Sequence, residues 1–93
     1  MYGDTYGYSN ITGTTTTVLK AGSGVLKLIT LNGPVATGTI SIFDNTAGSG
    51  TSIGVITTPA SPMPLTLDFE VQFKVGLTIV TATAAQNITV AYQ

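Results

Sequence analysis

The sequence predicts an all-β fold: a single antiparallel β-sandwich of seven or eight short strands, jelly-roll or immunoglobulin-like, with an N-terminal arm. Three observations carry this expectation. Eighteen threonines and eleven glycines dominate a 93-residue chain that holds one glutamate and no arginine, and threonine and valine favour a pleated, half-buried surface. No stretch of ten or more residues repeats with helical period, and no capping box opens one. Short apolar runs recur every 8–14 residues with glycine, asparagine and proline between them, the spacing of an antiparallel sandwich.

Residues 1–10, rich in tyrosine and glycine, read as an arm outside the sandwich, and residues 11–93 as the sandwich domain. Residues 14–20 are a threonine run ending in Val18 and Leu19. Residues 24–31 are nearly continuously apolar apart from Lys27 and Thr30, the pattern of a central strand covered on both faces. Residues 39–43 point Ile40 and Ile42 inward, and residues 52–57 set Ile53 and Val55 on one face. Residues 65–74 give the clearest strand: Leu65, Leu67, Phe69, Val71 and Phe73 alternate with Thr66, Asp68, Glu70, Gln72 and Lys74. Period-two alternation assigns the first set to the core and the second to solvent. Ten residues are long for a strand and require a bend or bulge near Val71. Residues 77–83 and 87–92 complete the set, while the prolines of residues 58–64 (TPASPMP) block further pairing there.

Composition excludes more functions than it suggests. Without histidine the commonest general base is missing. Without cysteine there is no thiolate nucleophile, disulfide or soft metal ligand. Lys20, Lys27 and Lys74 are the only basic residues, too few to neutralise many phosphates, so nucleic acid is not an expected partner. The mean hydropathy is +0.42, yet no run of about 20 apolar residues exists to span a membrane. The opening MYGDTYGYSN has neither the basic nor the apolar region of a signal peptide. No enzyme, cofactor or metal is expected. Charged residues make up 8% of the chain, and so weakly charged a surface suits a subunit in contact with others.

The candidate sites are correspondingly few. Asp68 and Glu70 are the one close carboxylate pair, but they share the polar face of their strand with Gln72 and Lys74 and read as solvated, edge-protecting acids. Asp4 and Asp44 add no second cluster for a calcium cage. Gly48-Ser-Gly-Thr-Ser-Ile-Gly lacks the following helix that a phosphate loop requires and reads as a hairpin turn. Asn10-Ile-Thr and Asn87-Ile-Thr match the glycosylation pattern by chance in so threonine-rich a chain. Tyr2, Tyr6 and Tyr8 form the candidate interface: tyrosine buries a ring at a contact while its hydroxyl keeps a partner. An arm carrying them can order against a neighbouring subunit, including by β-augmentation.

A resemblance enters at the level of strand texture. Asn10-Ile-Thr-Gly-Thr, Val18-Leu-Lys-Ala-Gly-Ser-Gly-Val-Leu-Lys, Ile40-Ser-Ile-Phe-Asp-Asn, Phe73-Lys-Val-Gly-Leu-Thr-Ile-Val-Thr and Ile88-Thr-Val-Ala-Tyr together resemble small virion proteins of tailed bacteriophages, of the head decoration (cement) type. It covers about residues 10–92 and includes no catalytic signature. It implies a subunit made in the host cytoplasm, bound in many copies on the capsid exterior, and clamping neighbouring major capsid proteins as a homo-oligomer, dimer or trimer. The alternative is a fibre, neck or adhesion module that binds a host receptor or carbohydrate.

Overall fold

The computed structural model describes residues 6–93. Eight antiparallel strands form two four-stranded sheets, and there is no helix among the described residues. The first sheet runs β1 (Gly7–Gly13), β8 (Gln86–Tyr92), β3 (Gly24–Leu31), β6 (Leu65–Phe73). The second runs β2 (Thr16–Ala21), β7 (Gly76–Ala82), β4 (Thr39–Asp44), β5 (Thr51–Thr57). The pairs β1–β8, β2–β7, β3–β6 and β4–β5 are nested, as if one long hairpin had been rolled up. This strand order is that of a jelly roll, not an immunoglobulin domain.

Between the sheets lie Ile11, Leu26, Ile29, Leu31, Ile40, Ile42, Phe73, Leu77, Ile79, Ile88 and Val90. The alternation read from the sequence holds on β4 and β8, where Ile40 and Ile42, and likewise Ile88 and Val90, are buried while Ser41 and Thr89 between them are not. On β5 it fails, because a register shift at Ile53 leaves Ile53 and Ile56 packed on the core and Val55 exposed. On β6 the expected set faces inward, but only Phe73 is fully buried; Leu67, Phe69 and Val71 are half-covered and Leu65 is exposed. The reason is position, because β6 is an edge strand.

The expected bulge is present two residues before Val71. Leu26 faces Val71 and Leu28 faces Asp68, so Phe69 and Glu70 together oppose Lys27, and Glu70 takes a left-handed φ of 52°. This irregularity also corrects the reading of β3. Against β8 the extra residue is instead Lys27 itself, which turns Leu26 and Ile29 onto the same inner face although they are three apart. The apolar run therefore reflects a bulge, not coverage on both faces: Leu28 and Thr30 remain partly open to solvent.

Of the arm expected over residues 1–10, the last four residues belong to the sandwich. Gly7, Tyr8, Ser9 and Asn10 belong to β1, paired residue for residue with β8. Glycine and asparagine are poor strand formers, so composition hid this strand. It is held instead by Ile11, its one fully buried side chain, and by ladder bonds to β8.

Buried polar side chains anchor the connections. The Thr58 hydroxyl donates to the Val35 carbonyl (2.6 Å) and accepts from the Gly38 amide (2.8 Å). That of Thr81 donates to Gly13 O (2.8 Å) and accepts from Thr15 N (2.9 Å). Thr78 donates to the Asn45 carbonyl (2.7 Å), pulling residues 45–50 back across the outer face of the second sheet. Among the described residues no buried side-chain nitrogen or oxygen lacks a partner, as low-dielectric interiors demand.

Candidate interface surfaces

The two outer faces differ in chemistry. Across the first sheet, Asn10 lies opposite Thr89, Thr89 opposite Thr30, and Thr30 opposite Thr66, so one polar row crosses all four strands. Hydrogen bonds tie its members to one another or to the flanking Asn32 and Asn87. Asn10 Nδ2 donates to Asn87 Oδ1 at 2.9 Å, Asn32 Nδ2 donates to Thr89 Oγ1 at 2.8 Å, and the Thr30 and Thr66 hydroxyls meet at 3.0 Å. The two Asn-Ile-Thr tripeptides face each other here, Asn10 against Thr89 and Thr12 against Asn87, about the central pair Ile11 and Ile88. Their repetition is thus a cross-strand ladder.

The neighbouring row is Tyr8, Ala91, Leu28 and Asp68. Tyr8 is 75% exposed, while Tyr6 is half-buried with its ring centroid 5.9 Å from Lys27 Nζ, within cation–π reach. Lys27 also pairs with Glu70 at 3.2 Å, and the hydrogen bond that its ammonium donates to the Glu70 carboxylate is the chief cause that raises the lysine's pKa. Of the three tyrosines expected at an interface, Tyr6 and Tyr8 lie at the β1 end of this face; Tyr2 lies outside the described residues.

Two uncharged rows cross the outer face of the second sheet. Thr16, Val80, Ser41 and Val55 form one row across it, and Val18, Thr78, Phe43 and Ser52 the next. Val18 is 48% and Val55 60% exposed. Residues 45–50 cover part of its middle, with Gly48 set close against Val80 and Thr16. Sequence reading missed this face. Its signal was available: the outward residues of the strands running through residues 16–18, 39–43 and 52–57 are all Thr, Ser, Val or Phe.

A third feature is an apolar cavity of about 170 Å³ between the edge strands β5 and β6, lined by Leu31, Ile56, Pro59, Pro62, Met63 and Leu67 among others. No titratable group lines it. Asp68 and Glu70 stay on the exposed face of β6, one beside Leu28 and the other paired with Lys27. Among the described residues no three acidic groups come together to hold a metal. Asp44 is engaged structurally: its carboxylate accepts the backbone N–H groups of Val75 (2.8 Å), Lys74 (3.0 Å) and Gly76 (3.3 Å). These bonds hold its pKa below the usual carboxylate value.

Compared with known protein families, curated proteins and solved structures, the chain matches none.

Proposed function

We propose that the protein is a non-enzymatic virion structural subunit, a capsid decoration (cement) protein that binds across neighbouring major capsid proteins. The observation that carries this reading is the outer face of the second sheet, crossed from β2 to β5 by two uncharged rows that expose Val18 and Val55. An uncharged apolar and hydroxyl surface desolvates at low cost against a partner. Its four short strands make a small patch for a lone complex, but many copies on a repeating lattice add their contacts. The resemblance of residues 10–92 to phage head decoration proteins points the same way. Jelly rolls serve capsids and lectins alike, so the fold favours neither reading over the other.

The test is direct. Purified heads should retain the chain in many copies by mass spectrometry, and heads lacking it should rupture at lower temperature. Equal rupture temperatures would remove the stabilising role.

One observation favours the adhesion module as a second reading. An exposed tyrosine beside the amide and hydroxyl network of Asn10, Asn87 and Thr89 offers a stacking ring next to polar groups. Binding of the isolated chain on a glycan array, lost in Tyr8→Ala, would establish it.

A further inference from the structure

The two sheets end in four edge strands, β1, β6, β2 and β5, and three of them are blunted. On β6 the Phe69–Glu70 bulge, the acids Asp68 and Glu70 and the preceding Pro64 interrupt the edge. On β2 the register shifts at Leu19, next to Lys20. On β5 it shifts at Ile53. Bulges, charges and prolines are the devices by which sheet edges avoid pairing with other chains.

Strand β1 has none of them. Its seven residues, GYSNITG, include no charge and no proline, and they pair one for one with β8 without a shift. Its register is unbroken from Gly7 to Gly13, so its outer row of N–H and C=O groups keeps the regular antiparallel alternation that a template strand requires. We infer that β1 is a docking edge for a second copy of this chain, joined antiparallel to that copy's own β1 about Asn10, so that the two four-stranded sheets continue as one.

Self-pairing is favoured over a foreign strand by the chemistry of the edge. An uncharged strand meets its own copy without the like-charge penalty that β6 would incur. Asn10 ends the polar row that runs from Thr66 through Thr30 and Thr89, hydrogen-bonded at each end by the Thr66–Thr30 and Thr89–Asn10 pairs. Pairing about Asn10 sets two such rows end to end, amide against amide. The same register brings the exposed Tyr8 opposite Thr12 of the second copy, an aromatic ring against a β-branched side chain. Lys27, the nearest cation, is already neutralised by Glu70. Seven residues a side is small beside the roughly 20–30 of a standard interface, so the dimer is weak in solution and gains from local crowding of copies. The inference stands on edge geometry and holds whether or not the subunit belongs to a capsid.

The chain has no cysteine, so single substitutions report the contact. Oxidation of Asn10→Cys should yield a disulfide-linked dimer, whereas Ser52→Cys on β5 and Thr66→Cys on β6 should stay monomeric. A mixture of Tyr8→Cys and Thr12→Cys chains should cross-link to each other in preference to themselves, which reads the register without touching Asn10. Sedimentation equilibrium of the unmodified chain should show mass rising with concentration. Tyr8→Lys, at an exposed position, should keep the melting temperature and lose the dimer. Three results would overturn the inference: a constant single-chain mass with no β1 cross-link, equal cross-linking from β5 or β6, or protection of the β1 amides only when a different protein is added.

Discussion

Both polar atoms of the Gln86 side-chain amide are bonded to one residue, Val35: Oε1 accepts its N–H at 2.8 Å and Nε2 donates to its carbonyl at 2.9 Å. The buried amide acts as a short strand, pairing with backbone that has no sheet neighbour of its own and pinning the β3–β4 connection to the start of β8. Leucine at this position fills a similar volume but strands the Val35 N–H, while Thr58 still serves the carbonyl. Gln86→Leu should therefore destabilise by about 1–3 kcal/mol, read as a lower urea midpoint with unchanged slope.

Gly24 faces the Phe73 ring. A Cβ there would sit 2.6 Å from Phe73 Cζ and would also meet the backbone carbonyl of Gln93. Gly24→Ala should cost about 1–3 kcal/mol through overpacking. Adding Phe73→Leu should recover part of that loss, because the ring moves away while the carbonyl does not. A double-mutant cycle checks this, and strict additivity would refute the contact.

Acid should act through Asp44. Its folded pKa lies below the ordinary carboxylate value because Val75, Lys74 and Gly76 donate to the carboxylate. Its contribution is thus complete above the unfolded value and is lost as pH falls through the folded one. The melting temperature of the native chain should drop between about pH 5 and 2, and Asp44→Asn should show a shallower drop. Lys27 behaves oppositely: its raised pKa makes its small contribution complete below the unfolded value and lost at alkaline pH, beyond the folded one.

Thr83 holds a φ of 73° in the turn between β7 and β8, a conformation that a β-branched residue adopts only under strain. Asparagine tolerates this region without glycine's entropic cost. Thr83→Asn should raise stability by about 0.5–1 kcal/mol, measurable by calorimetry.

The legible parts of this fold were those written in period-two alternation. Strands with two or more buried side chains in alternation, such as Ile40 with Ile42 and Ile88 with Val90, declared themselves, and so did the length that forced the β6 bulge. What stayed hidden depends on partners distant in sequence. Tyr8 and Asn10 look like tail until Ala91 and Thr89 lie beside them. The Asn-Ile-Thr pair looks like chance until its antiparallel register is known. Gln86 and Thr58 carry no local mark of the loop backbone they hold. The uncharged rows of the second sheet were readable residue by residue, but only the strand order β2-β7-β4-β5 joins those residues into a surface.

The nested strand order also dictates how the chain must be made. In the first sheet β8 stands between β1 and β3, so the first of the eight strands has no place in its sheet until the eighth is available. A nascent or truncated chain lacking β8 leaves β1 and one side of β3 unpaired, with Ile11 and Ile29 uncovered. Closing so long a loop is slow, whereas the second sheet, β2-β7-β4-β5, needs neither β1 nor β8. The first sheet therefore waits on β8, the seven-residue strand that joins β1 to β3.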